Sequence, residues 1–170
     1  MTKQELLKDL QIFIDNMDAF ILDKGIDISK MEIDHICYKC ASSEEFENIK
    51  RFFEFEDKFI YQSIISKRRL AYIGLAEPLH SKFGDIFYFE LSDQKPDGSQ
   101  KSEVEHLEFV PEGISYEEMV NLFKNGGFLL KENIKPNHTV YEALVPGIGE
   151  IKLSHERLVH TIYKKEFVLG

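Results

Sequence analysis

One short phrase occurs twice in this chain, as Ile33-Asp34-His35-Ile36 and as Val104-Glu105-His106-Leu107, 71 positions apart. Each copy reads apolar–acid–histidine–apolar within a run of strand character. Each is followed by a helix start, Ser42-Ser43-Glu44-Glu45 after the first and Ser115-Tyr116-Glu117-Glu118 after the second. Serine with glutamate three residues on is a capping box, which satisfies the open amides of a helix N-terminus. A histidine-bearing strand and then a capped helix, used twice, point to a duplicated module. Alternate strand residues share a face. Each histidine is therefore expected beside its apolar neighbour (Ile33, Val104), with the acid on the opposite face. Two histidines related by duplication would then face one shared site.

The remaining pattern fits two βαβββ modules. In 31–93, a strand (Glu32 to Lys39) and a helix (Ser43 to Phe53) precede β-like stretches at Lys58 to Ser66, Leu70 to Leu75 and Asp85 to Leu91. Arg68-Arg69 and Glu77-Pro78-Leu79-His80 fall at or near the turns. The polar stretch from Ser92 to Lys101, with Pro and Gly, reads as a linker. In 102–155 the order returns: strand Glu103 to Val110, helix Tyr116 to Lys124, then strands near Phe128 to Ile134, His138 to Val145 and Glu150 to Ser154. Residues 1–30 carry an amphipathic helix with a third capping box, Thr2 with Glu5, and apolar positions recurring at three and four. It has no counterpart in the second module and is expected outside the pair. Residues 156–170 form a tail. The expected fold is α+β, a single domain in which the modules build a cup-shaped mixed sheet.

Composition narrows the function. A chain of 170 residues buries enough surface to fold without disulfides or structural metal. Its net charge of −9, with Lys and Arg scattered rather than striped, lacks the electrostatic footprint of a nucleic-acid binder. No apolar run approaches the roughly 18 residues of a membrane span, and no secretory h-region is visible, so the expectation is cytoplasmic. Cys37 and Cys40 would point to opposite faces of a strand, which suits neither a chelate nor a redox pair.

The chemistry concentrates on the paired histidines. Two imidazoles and one carboxylate hold a divalent transition metal while leaving positions open for a ligand. Glu90 is the natural third member, a charged residue in the strand Ile86-Phe87-Tyr88-Phe89-Glu90-Leu91, where it shares a face with Tyr88. The equivalent strand of the second module puts Lys152 at Glu90's place when Phe89-Glu90-Leu91-Ser92 is aligned with Ile151-Lys152-Leu153-Ser154. Glu150 shares the Lys152 face, and Glu108 shares the His106 face as an alternative ligand. Arg68, Tyr72, Tyr88, Asn137, His138 and Thr139 complete a candidate rim for a small ligand. There is no glycine-rich phosphate loop, no nucleophile elbow and no HExxH.

Taken together, Asp34-His35-Ile36 with Cys40, Arg68 ahead of Glu77-Pro78, Glu90-Leu91, Glu105-His106-Leu107-Glu108, Pro136-Asn137 with Thr139, and Ile151-Lys152-Leu153 resemble the YecM-like proteins. These form a branch of the vicinal oxygen chelate superfamily, with glyoxalases, extradiol dioxygenases and bleomycin-resistance proteins. The resemblance covers nearly the whole chain. It implies a cup whose metal is held from the first and last strands of each module, here His35, Glu90 and His106. At the fourth position this chain departs from the pattern, with Lys152.

Two functions of different class follow. The first is a divalent-metal-dependent enzyme (Zn, Fe, Mn or Ni) acting on a small oxygen-rich molecule, without an organic cofactor. Lys152 would stabilise negative charge, and Glu108 or Glu150 would move a proton. The second is a metal-free small-molecule binding protein in which a Lys152–Glu90 ion pair replaces the cation. A homodimer is compatible with either.

Overall fold

The computed structural model describes residues 1–135 and 138–162, although the side chains of Lys135 and His138 lie outside that description. Eight strands form one mixed sheet: β1 (Met31–Lys39), β2 (Phe59–Ile65), β3 (Arg68–Ser81), β4 (Gly84–Ser92), β5 (Glu103–Pro111), β6 (Lys131–Lys135), β7 (His138–Val145) and β8 (Gly149–Leu153). Their spatial order is β2-β3-β4-β1-β5-β8-β7-β6. Two βαβββ halves thus meet at the antiparallel β1–β5 pair. Each half closes on that pair through a parallel contact, β1 with β4 and β5 with β8. This is the expected α+β cup.

Three helices cover one face: α1 (Lys3–Asp23), α2 (Ser43–Arg51) and α3 (Tyr116–Asn125). The Thr2/Glu5 and Ser115/Glu118 capping boxes close reciprocally. Ser42 caps α2, but Glu45 instead accepts from the Ala41 amide and the Tyr38 hydroxyl. Between helices and sheet lies the apolar core, which includes Ile36, Phe46, Phe89, Leu107, Phe109, Phe123 and Ile151. Phe109, on central β5, meets Phe83 at 5.2 Å and Phe123 at 5.6 Å. Phe109→Ala should therefore cost about 3–5 kcal/mol in a urea-unfolding measurement, the usual sum of lost transfer energy and cavity.

Two details refine the sequence reading. First, the N-terminal helix lies outside the cup as expected and also ties the halves together, because α1 contacts β3 of one half and β5 of the other. It buries Leu6, Leu10, Ile14 and Met17, and its buried Asp18 accepts hydrogen bonds from Ser81 and the Lys82 amide. Gly149 permits this docking: a Cβ there would lie 2.5 Å from the Phe13 ring and 2.8 Å from the Glu105 carbonyl. Gly149→Ala is expected to lower stability by about 1–3 kcal/mol through overpacking, read as a fall in Tm. Second, Pro78 lies within β3 rather than in a turn. The β3–β4 register slips between Gly74 and Leu79, and such an irregularity accommodates a residue without an amide proton.

Candidate metal centre

The face away from the helices carries the chemistry, and two β-bulges shape it. Ile33 pairs with Phe109 and His35 with Glu108, so Asp34 is an extra residue on β1. Cys37 pairs with His106 and Tyr38 with Val104, so Glu105 is an extra residue on β5. An unpaired extra residue breaks strand alternation and re-aims its side chain. Ile33 and Val104 join the helix-side core. The acids come round to their histidines, contrary to simple alternation. His35 Nδ1 lies 2.8 Å from Asp34 Oδ2, and His106 Nδ1 lies 3.0 Å from Glu105 Oε2. A carboxylate can only accept, so both Nδ1 atoms carry the proton and each Nε2 is turned to other work.

Both imidazoles are almost wholly buried, His35 at 1% and His106 at 2% exposure, and their rings stand 5.6 Å apart. His35 Nε2 has no hydrogen-bond partner; Glu90 Oε2 lies 3.8 Å away and Glu108 Oε2 3.9 Å. Ligating atoms of His35, Glu90 and His106 all lie within 4.8 Å of one another. Side-chain rotation closes that span onto the ~2.1 Å bonds of a divalent cation. A buried, orphaned Nε2, backed at Nδ1 by a carboxylate, is the donor arrangement of a metal-binding histidine. The residues present fit such an ion.

The surrounding charges are unequal in the two halves. Burial opposes a proton on His35, but Glu108, Asp34 and Glu90 outweigh it and push its pKa up to about 9. Burial and the Lys152 ammonium instead push His106 down. Burial alone would raise Glu108, yet His35, His106, the Ser154 hydroxyl (2.7 Å) and Lys152 hold it lower. Glu105 is held well below the ordinary carboxylate range, against its burial, by His106, Lys152 and Lys39. Burial and nearby Glu105 raise Glu150.

Register confirms the sequence alignment of the last strands. Cys37 pairs with Glu90 across β1–β4, and Glu108 pairs with Lys152 across β5–β8. Lys152 therefore occupies Glu90's place, and Cys37 that of Glu108. Lys152's ion-pair partner is Glu105 Oε2 at 3.7 Å; the expected Lys152–Glu90 pair does not form. The bulge that brings Glu105 to this face draws the ammonium away from Glu90.

The other rim residues divide. Tyr72 and Tyr88 stack at 5.2 Å and 16°, and Tyr72 meets the His35 ring edge-on at 5.7 Å. Phe59 extends this aromatic wall by lying over Gly74, where a Cβ would approach its ring to 2.5 Å. Arg68 stands at the β2–β3 turn, four residues along β3 from Tyr72. It lines a separate surface cleft of about 430 Å³ with Lys67, Lys95 and Asp93. Thr139 belongs to the opposite face, where it lines a depression against α3 with Tyr116 and Val120. Asn137 and the side chain of His138 lie outside the described residues. Sequence reasoning missed Asp34 and Glu105 as partners of the histidines, although the repeated acid–histidine dipeptide was their signal.

The sequence matches the YecM protein family over residues 2–158. This chain belongs to that family. Among solved structures, a structural-genomics protein designated EC4020 superposes with a TM-score of 0.77 at 20% identity, over 95% of this chain and 92% of that one. The YecM fold also matches, at lower superposition, the fosfomycin resistance protein FosX from Listeria monocytogenes in complex with Mn(II) (TM-score 0.29, 13% identity, 76% and 96% of the two chains). Glyoxalase I from Leishmania major gives a TM-score of 0.29 at 13% identity, over 79% and 94%. No curated protein matches this YecM chain. No helix among its described residues is long and apolar enough to cross a membrane.

Proposed function

We propose that this YecM protein is a divalent-metal-dependent enzyme acting on a small oxygen-rich molecule, with His35, Glu90 and His106 as ligands. The observation that carries the reading is the buried His35 Nε2, unpartnered and aimed at Glu90 and Glu108 while Asp34 holds the other ring nitrogen. Zn, Fe, Mn and Ni suit a two-imidazole, one-carboxylate set. A bound ion of this kind supplies Lewis acidity toward ligand oxygens.

The chain's own residues supply the remainder. Lys152, half-buried and kept cationic by Glu105 against the cost of burial, stabilises negative charge developing on a bound ligand. Glu108, fixed by the Ser154 hydroxyl, is placed to take a proton. Glu150, raised by burial and Glu105, suits the return of one. Tyr72 and Tyr88 form an apolar wall on one side. The metal-free binding alternative is not favoured, since its defining ion pair is absent.

Two measurements test this reading. Asp34→Ala and Glu105→Ala should each weaken Zn²⁺ binding about 10–100-fold, because each removes the acceptor that orients a ligand imidazole. Unchanged affinity by calorimetric titration in both variants would remove the support for ligand histidines. The second is pH dependence. His35 must lose its proton to bind metal, so apparent affinity should rise about tenfold per pH unit from 7 until it levels near pH 9. In metal-free protein the sign is opposite. A histidine pKa raised from about 6.5 to about 9 gives stability that is complete below the lower value and lost as pH rises through the higher one. Urea midpoints across pH 6–10 would show the fall, whereas a rise would mean that His35 does not hold the proton.

A further inference from the structure

The polar stretch from Ser92 to Lys101 reads as a linker in sequence, yet its fold is braced from within. Gln94 donates to the carbonyls of Ala41 at 2.6 Å and Gln100 at 2.8 Å, and it accepts from the amides of Lys95 and Gln100. Buried Gln100 donates to the carbonyls of Cys40, Ser92 and Asp93. The Asp93 amide ties the segment to the Arg69 carbonyl at the start of β3. Beside it, the β2–β3 hairpin turns through Ser66 (φ 52°) and Lys67 (φ 62°), left-handed positions that favour asparagine and glycine. Backbone strain of this kind persists where the surroundings impose it, and functional sites are its usual place.

Hairpin and linker together wall the cleft of about 430 Å³ that lies apart from the cup, and five charged residues line it: Lys67, Arg68, Arg69, Asp93 and Lys95. Two of these answer each other. Arg69 Nε donates to Asp93 Oδ2 at 2.7 Å, while Asp93 Oδ1 accepts from the Ser43 hydroxyl at 2.9 Å and the Gln94 amide at 2.7 Å. Both oxygens of the one carboxylate in the lining are thus engaged. Among the described residues, Lys67, Arg68 and Lys95 pair with no carboxylate. Asp97, close to Lys95 in sequence, is outside the lining and accepts from Ser99. Arg68 Nε is buried without a hydrogen-bond partner, a costly state that calls for an explanation. Three unanswered cations therefore share one cleft in a chain whose net charge is −9.

We propose that this cleft binds the phosphate group of a small phosphomonoester. Such a group carries about −1.5 to −2 charge at neutral pH and three terminal oxygens, which matches three cationic side chains. A carboxylate brings one charge and two oxygens and leaves one cation unanswered. Arg68 grips two oxygens through its planar fork, giving Nε its acceptor, and Lys67 and Lys95 act on the group as point charges. Ile64, 77% exposed, and Pro96 line the same cleft and offer the organic part of the ester an apolar surface. The cleft shares no residue with the His35–Glu90–His106 centre, so the site stands whether or not that centre takes a metal.

Calorimetric titration of metal-free protein at low salt, with phenyl phosphate and with inorganic phosphate, tests the site. Phenyl phosphate is expected to bind more tightly, because its ring reaches Ile64 and Pro96. Arg68→Ala should weaken it at least tenfold, and Arg68→Lys should recover only part of that loss, having the charge without the fork. Lys67→Gly separates a ligand role from a structural one. Glycine relieves the left-handed turn, so Tm should rise, while phenyl phosphate affinity should fall at least threefold. Absence of phenyl phosphate binding at millimolar concentration, or affinity unchanged in Arg68→Ala or in Lys67→Gly, would overturn the site. Inorganic phosphate binding as tightly as phenyl phosphate would overturn the assignment of an ester.

Discussion

His35→Ala and His106→Ala should each reduce divalent-cation affinity by more than the ~10–100-fold that loss of a supporting partner costs, because a donor itself is removed. The same substitutions should differ in their effect on the metal-free fold. His35→Ala leaves buried Asp34 with only the Leu158 amide, and stranding such a group costs about 1–3 kcal/mol. After His106→Ala, Glu105 still has Lys39 and Lys152, so that variant should lose less. Equilibrium dialysis against Zn²⁺ and urea melts of the apoprotein read the two effects separately. Native affinity in either alanine variant would show that its imidazole is not a ligand.

The second large effect is a gain. Lys152→Glu places a carboxylate at the position related to Glu90 by the duplication and removes an ammonium from the same spot. The charge facing an incoming cation changes by two units, from +1 to −1. At an effective dielectric of ~20, one charge at ~5 Å is worth about 3 kcal/mol before screening and desolvation. A gain of at least tenfold in Zn²⁺ or Mn²⁺ affinity is therefore expected, with Lys39 still holding Glu105. A folded Lys152→Glu protein without that gain would show that the four strand positions do not converge on one ion.

Most of the fold was legible because its signals are local and repeated. The capped helices at Ser42 and Ser115, the period-two runs around Glu90 and Ile151, and the acid–histidine phrase each recur in order, and a duplication makes every weak signal count twice. The bulges were not legible, because one extra residue in a strand leaves no mark in composition. That single omission produced two of the misreadings. Simple alternation puts Asp34 and Glu105 on the wrong face, and so it hides the Glu105 carboxylate that meets Lys152 in place of Glu90. Thr139 failed for a different reason. In His138-Thr139-Val140-Tyr141-Glu142-Ala143-Leu144-Val145 both faces carry apolar residues, so alternation does not say which one meets the helices. The pairing of Tyr141, Ala143 and Val145 with β8 decides it, and that pairing is a long-range fact.

Strand parity across the bulges also records how the site arose. Without Asp34, Ile33 would still face the helices and His35 the cup, and the same holds for Val104 and His106 without Glu105. The acid is an insertion that disturbs neither neighbour's allegiance, a single codon slipped into an already regular strand. It stands at the same place in both halves, so the simplest history puts it in the ancestral half-gene, before that gene was copied and fused. A lone half would have met its twin across β1 and β5, each bringing one supported histidine. The related last-strand positions carry different residues, Glu90 in one half and Lys152 in the other, an asymmetry open only to a chain that holds both copies.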